Sequence, residues 1–269
     1  MAIKICLDAG HYGYYNQSPA NKAYYESVMN WKLHLLLKQY LEQYGVEVIT
    51  TRSSQAKDLA LTERGKKSKG CDLFMSIHSN AVGDYVKESV DFPVVYVPLN
   101  GKGHEIGKAL ADCIAETMGT TQNGEVCTRK GDNGDYYGVI RGAVSVGTVG
   151  LILEHSFHTN TRSTNWLLNN GNLDKMARAE AKAIANYYGL KEKAPSVLYK
   201  VQTGAYKSKA YAEEHLAKVK AAGFPTCMVY VDGLYKVQVG AYEKKANAEA
   251  MLAKVKSAGF DAFIAVVEK

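Results

Sequence analysis

Three short polar runs each follow a strand-like apolar stretch. Ile3–Leu7 leads into Asp8-Ala-Gly-His11, Leu73–Ile77 into His78-Ser-Asn80, and Val149–Leu153 into Glu154-His155. In open α/β sheets, ligands bind beyond the carboxyl ends of the strands. Three strands therefore deliver two histidines and a glutamate to one edge. Glu26 is a fourth candidate. It opens an amphipathic helix and lies three residues before Met29, on the core-facing stripe, where a carboxylate is costly to bury without a partner. Two histidines and one carboxylate with an open position form the ligand set of a catalytic zinc site. Zinc bound there lowers the pKa of water to about 7 and polarises a carbonyl. A second glutamate that is not a ligand can take the water's proton and pass it to a leaving amine. His11, Glu26 and His78 fit as zinc ligands and Glu154 as the base. Taken singly, a histidine at a strand end is more often structural, and a glutamate in a first helical turn is favoured by the helix dipole. Convergence is what would make them a site.

The elements that must position these groups are read from periodicity. Val46–Thr50 and Val94–Val97 are further strand candidates. One helix carries Met29, Leu33, Leu36, Leu37, Tyr40, Leu41 and Tyr44 on a stripe; another carries Ile106, Ala109, Leu110, Cys113, Ile114 and Met118; a third runs from Leu173 to Tyr188. Alternation of strands and helices predicts an α/β fold, a three-layer mostly parallel sheet flanked by helices, over residues 1–190.

The rest of the chain is an internal duplication. Leu198-Tyr-Lys-Val-Gln-Thr-Gly-Ala-Tyr206 recurs 36 residues later as Leu234-Tyr-Lys-Val-Gln-Val-Gly-Ala-Tyr242, and Leu216–Phe224 recurs at the same offset as Leu252–Phe260. Each copy, 198–233 and 234–269, reads as strand, helix, strand. Together they predict a small C-terminal α/β sandwich of two βαβ-type repeats, with helices on one face of a sheet and the other face open. Lys191-Glu-Lys-Ala-Pro-Ser196 is charged and aperiodic, and residues 191–197 are taken as the linker.

Bulk properties narrow the function classes. The chain has 269 residues, a length that suits a large domain plus a small one. No apolar run approaches the roughly 18 residues of a membrane span, so no membrane insertion is expected. The five cysteines are odd in number with no C-x-x-C, and Cys6 and Cys71 read as small buried thiols. From Ser196 onward eleven lysines face seven acidic residues, a basic balance that suits an anionic polymer.

Asp8-Ala-Gly-His11, Glu26, Ser76-Ile-His-Ser-Asn80 and Glu154-His-Ser-Phe157-His-Thr-Asn160 resemble the motifs of zinc-dependent N-acetylmuramoyl-L-alanine amidases of the type 3 branch. Thr51-Arg52 and Leu61-Thr-Glu-Arg64 are also arranged as in that family, and the resemblance spans about residues 2–190. It implies one zinc ion on His11, Glu26 and His78, Glu154 as the catalytic glutamate, and hydrolysis of the bond between N-acetylmuramic acid and L-alanine. Asn80, beside His78, and Arg141, in the glycine-flanked stretch Tyr136–Arg141, are further candidates for substrate contact. Many members carry Asp-Pro-Gly-Ala soon after the first histidine, whereas this chain has Tyr12-Gly-Tyr-Tyr-Asn-Gln-Ser-Pro-Ala20. The duplication resembles the SPOR domain. That implies peptidoglycan, in particular glycan strands stripped of their peptides, as the partner, with Gln202 and Gln238 on the open face as contacts.

Two rival classes are a non-catalytic wall-binding protein and a nucleic-acid binder, since a small sheet bearing tyrosines also suits RNA. The intact histidine pair with Glu154 argues against the first, and the absence of arginine from the repeats argues against the second, so no nucleic acid is expected. Met1–Leu7 holds too short an apolar stretch for a signal-peptide core. The expectation is synthesis in the cytoplasm without a classical signal peptide, followed by action on the wall after release, as for a prophage endolysin or a sporulation mother-cell amidase.

Overall fold

The structure, a computed structural model, describes residues 2–132, 134–192 and 197–268. The chain divides into two compact units, Met1–Glu192 and Lys193–Lys269. Most of the expected linker, residues 193–196, lies outside the described residues.

The first unit is built on a six-stranded sheet. Its strands are β1 (Lys4–Ala9), β2 (Glu47–Thr50), β3 (Leu73–Asn80), β4 (Val94–Tyr96), β5 (Glu125–Cys127) and, after the short hairpin β6 (Lys130–Gly131) and β7 (Gly134–Asp135), β8 (Val149–Phe157). The order is β2-β1-β3-β8-β4-β5, parallel except where β4 runs antiparallel to β8. A mostly parallel sheet must be covered on both faces, and this one is. On one face, α1 (Glu26–Gln43), α3 (His104–Met118) and α6 (Asn170–Tyr187) bury the main core, with Leu33, Leu37 and Leu41 packed with Leu7, Met75 and Leu153. On the other face, a smaller cluster of Cys6, Phe74 and Ile152 is capped by Val139, Ile140 and Ala143 of α4 (Gly138–Ser145). The short helix α2 (Leu61–Lys66) lies directly against α4, backbone on backbone: a Cβ on Gly65 would stand 2.1 Å from the Val139 carbonyl oxygen, and one on Gly142 would stand 2.2 Å from that of Thr62. Helix α5 (Thr161–Leu168) follows β8 and is capped by the Asn160 side chain, which accepts from the Ser163 amide at 3.0 Å.

The second unit contains β9 (Val197–Tyr206), α7 (Lys209–Ala221), β10 (Cys227–Val231), β11 (Leu234–Tyr242), α8 (Lys245–Ser257) and β12 (Phe263–Glu268). All its strand pairs are antiparallel, in the order β10-β11-β9-β12. The two strands of each repeat are therefore parallel to one another and separated by the first strand of the other repeat, so each half is a split βαβ unit. Val201, Val239, Val219 and Val255 form the core between sheet and helices.

All five cysteines are free, and Cys6 and Cys71 are buried as their apolar surroundings predict. Among the described residues no helix is long and apolar enough to cross a membrane.

Candidate active site

The histidine-bearing strands run further than their apolar patterns. β1 continues through Asp8 and Ala9, β3 through Asn80, and β8 through Phe157. The polar residues in these extensions bond to one another. Asp8, fully buried, accepts from Thr51 Oγ1 at 2.5 Å and from Ser76 Oγ at 2.7 Å, with the Arg64 guanidinium 3.6 Å away. Arg64 also donates to the carbonyls of Ala9 (3.1 Å) and His11 (3.4 Å), and Arg52 donates to Ala9 as well. The Thr51-Arg52 and Arg64 motifs thus hold the turn that presents His11.

β3 and β8 are in register up to His78 opposite Glu154, after which Asn80 pairs with Phe157. One extra residue is accommodated on β8, where Ser156 has φ +58°. Such a bulge re-aims side chains at a sheet edge. His78 and Glu154 lie side by side just before it, and His155, the next residue on β8, faces the opposite layer. His155 is fully buried, with Nε2 2.8 Å from Glu180 Oε1 and Nδ1 3.0 Å from the His78 carbonyl oxygen. Burial would lower the His155 pKa, but the Glu180 carboxylate prevails and raises it.

Glu26, the first residue of α1, reaches over the edge from the opposite layer. Its Oε1 lies 2.8 Å from His78 Nδ1 and accepts from the Ser79 amide at 3.1 Å; its Oε2 is 3.3 Å from His11 Nε2. His11, Glu26 and His78 each offer a ligand atom, all within 4.8 Å of one another. Burial opposes ionisation of Glu26, but the hydrogen bonds and charges of the two histidines outweigh it and hold the carboxyl well below the usual carboxylate range. Gly10 has no alternative: a Cβ there would stand 2.2 Å from the His78 ring. The imidazole lies on bare backbone.

A cavity of about 250 Å³ opens beside this cluster, lined by His11, Leu61, His78, Tyr137, Gly138, Val139, Ile152 and Glu154. The α2–α4 contact brings Leu61 and Gly138 to its wall. Glu154 is 9% exposed, and its Oε2 has no hydrogen-bond partner. Burial, then the charge of Glu26, push its carboxyl well above the ordinary range. A buried carboxylate oxygen without a partner, facing a two-histidine, one-carboxylate cluster, fits a bound divalent cation with one open position.

The other expected contacts lie elsewhere. Asn80 does not line this cavity; its Oδ1 accepts from the Ala81 amide at 2.9 Å. Arg141 donates to the carbonyls of Asp135 (2.6 Å) and Tyr136 (2.7 Å) and borders a separate cavity with Lys130, Gly131, Asp132 and Tyr136. Gln202 and Gln238 pair across β9 and β11, each 6% exposed, on strand positions alternate to the core valines. His158 contacts Ser79 and stacks on Tyr24. Sequence reading missed Asn16, whose Nδ2 donates to Glu26 Oε2 at 2.7 Å. An irregular loop carries no periodic signal that could have marked it.

Compared with known proteins, residues 5–186 match the family model described as N-acetylmuramoyl-L-alanine amidase, and residues 195–266 match that of the SPOR domain. The N-acetylmuramoyl-L-alanine amidase CwlM of Bacillus licheniformis is 32% identical over 234 residues, 86% of each chain. The sporulation-specific N-acetylmuramoyl-L-alanine amidase of Bacillus subtilis (strain 168) is 29% identical over the same length, again 86% of each. Among solved structures, the catalytic domain of CwlV, an amidase from Bacillus (Paenibacillus) polymyxa var. colistinus, shares the fold with a TM-score of 0.59 at 22% identity, covering 70% of this chain and 99% of that one. The motif order, the fold and these matches agree, and the chain belongs to the N-acetylmuramoyl-L-alanine amidase family, with a SPOR domain following its first unit.

Proposed function

We propose that the protein hydrolyses the amide bond between N-acetylmuramic acid and L-alanine in peptidoglycan, with zinc on His11, Glu26 and His78 and with Glu154 as general base and acid. The observation that carries this reading is the convergence of the three ligand atoms at the rim of the cavity that Glu154 closes. The family is generally zinc-dependent. When bound, zinc supplies Lewis acidity to the scissile carbonyl and the attacking water.

The side chains do the rest. Glu154 takes a proton from the attacking water as the carbon–oxygen bond forms. Its burial makes that proton acceptor strong, and the same proton then goes to the leaving alanine nitrogen as the carbon–nitrogen bond breaks. Leu61, Val139 and Ile152 give the cavity an apolar wall that limits water around the reacting groups. The SPOR domain is read as a tether to peptidoglycan glycan strands through the face bearing Gln202 and Gln238. Tethering raises the effective concentration of the enzyme on an insoluble polymer.

The test uses purified peptidoglycan, wild type and Glu154→Gln, with and without a zinc chelator, scoring new alanine amines and new sugar reducing ends separately. New amines without new reducing ends, lost on chelation and reduced by a factor of about 10²–10⁴ in the variant, are expected. Reducing ends without amines would refute the amidase reading.

A further inference from the structure

The segment from His11 to Gln17 is this chain's own loop beside the metal cluster, and its conformation is unusual. Three of its first six residues have left-handed backbone: His11 at φ +58°, Gly13 at +54° and Asn16 at +54°. Such conformations persist only where the surroundings fix them, and here they do. The Glu26 amide donates to the Asn16 carbonyl at 3.0 Å. Ser27 Oγ accepts from the Tyr15 amide at 2.8 Å and donates to the Gly13 carbonyl at 2.8 Å. The Tyr15 ring stacks on His11 with centroids 5.0 Å apart. The loop is strapped to the start of α1, and the strap sets one exposed side chain against the metal cluster.

That side chain is Asn16. Its Nδ2 is 2.7 Å from Glu26 Oε2 and 3.1 Å from His11 Nε2. These two atoms are themselves 3.3 Å apart and belong to residues that form the metal cluster. The carboxamide therefore bridges two of the three ligands. Turning it about its last side-chain bond exchanges Nδ2 for Oδ1. The oxygen then stands where the nitrogen stood, 2.7 Å from Glu26 Oε2 and 3.1 Å from His11 Nε2, close enough to both for the three atoms to share one ion.

We infer that Asn16 is a fourth protein group of the metal centre: its carboxamide bridges His11 and Glu26 without the ion, offers its oxygen to the ion when bound, and withdraws when substrate takes that position. The inference rests on the zinc reading above. A neutral amide oxygen is a harder, weaker ligand for zinc than imidazole, so the closure is displaceable. The structure thus assigns the loop a resting function, occupation of the open coordination position.

The test is made on the full-length protein. Asn16→Gly removes the carboxamide and keeps the left-handed backbone without strain. Asn16→Asp also tolerates that backbone and substitutes a charged ligand that does not withdraw readily. Zinc affinity is measured by competition with a chromophoric chelator, and coordination by the visible absorption of the cobalt-substituted protein. Asn16→Gly is expected to weaken zinc binding on the order of ten-fold and to change the cobalt band. Asn16→Asp is expected to tighten zinc binding and slow amine release. If the glycine variant melts early, the aspartate variant carries the same test. Wild-type affinity and an unchanged cobalt spectrum in both variants would overturn the inference while leaving the amidase reading intact. A wild type that binds no zinc would overturn both.

Discussion

Gly10→Ala should disable the metal centre by moving a ligand that it does not replace. The new Cβ would lie 2.2, 2.3 and 2.6 Å from Cε1, Nε2 and Nδ1 of His78. Non-bonded carbon contacts settle near 3.5 Å, so ring and backbone must separate by about 1 Å. The backbone cannot easily give way, because the Gly10 amide donates to the Ile77 carbonyl at 3.0 Å in the sheet ladder. The imidazole must retreat. Metal–ligand distances tolerate about 0.2 Å, so His78 leaves the donor set and the His11, Glu26, His78 group loses one member. A misplacement of about 1 Å in a catalytic geometry costs about 10²-fold in rate. Loss of zinc makes that a lower limit. Overpacking costs about 1–3 kcal/mol of stability, which leaves the fold in place. The measurements are zinc per chain after gel filtration, release of alanine amines from peptidoglycan, and the urea midpoint. A folded Gly10→Ala protein that keeps one zinc per chain and wild-type turnover would refute the assignment of His78.

Three further outcomes are expected. Glu180→Ala strands His155 in a site where both partners are fully buried; loss of one partner of such a pair costs about 3–5 kcal/mol, to be read from urea unfolding, and a change below about 1 kcal/mol would contradict it. His34, on the buried face of α1, is held neutral mainly by burial, with a pKa lowered from 6.5 to about 4. The unfolded chain takes up this proton first as pH falls, so stability is lost between about pH 6.5 and 4, by as much as about 3 kcal/mol; unfolding at several pH values should show it, and His34→Gln should flatten that slope. Replacing Gln202 and Gln238 together by alanine should reduce co-sedimentation with peptidoglycan and leave amine release from soluble wall fragments unchanged. Undiminished sedimentation would move the glycan contact off that face.

Much of this architecture is legible in the chain because its strands and helices bury their apolar stripes as periodicity dictates. Glu26 could be read as a site residue because it sits on the buried face of α1 among Met29 and Leu33, where a lone carboxylate has no other reason to be. The strand ends were less legible. Asp8 and Ser76 continue the pleat without apolar side chains, since they bond to one another across the sheet, and Glu154 does so facing the cavity beside the metal cluster. β5 is only three residues long and depends on β4 for its pairing. Helix α4 carries Gly138 and Gly142, which read as breakers, yet Gly142 allows α2 and α4 to meet backbone to backbone. Arg141 looked available to a ligand, but two backbone carbonyls claim its guanidinium. His155 differs from Glu154 by one position and ends in the opposite environment, because successive strand side chains face opposite layers and His155 meets Glu180 in its own.

The interleaving of the C-terminal strands has a consequence for how such a module can arise. β11 fills the gap between β9 and β10, and β9 fills the gap between β11 and β12. A single 36-residue copy therefore folds around an empty slot with unpaired hydrogen-bonding groups on both sides. Only a second copy, entered from the opposite direction, has the strand that fits. A one-repeat ancestor would be a symmetric, strand-exchanged dimer, and fusing two such copies would convert a concentration-dependent assembly into a permanent one. Once fused, the two halves are free to diverge. Cys227 in one copy and Phe263 in the other, both exposed at corresponding positions beside Gln238 and Gln202, show that divergence under way.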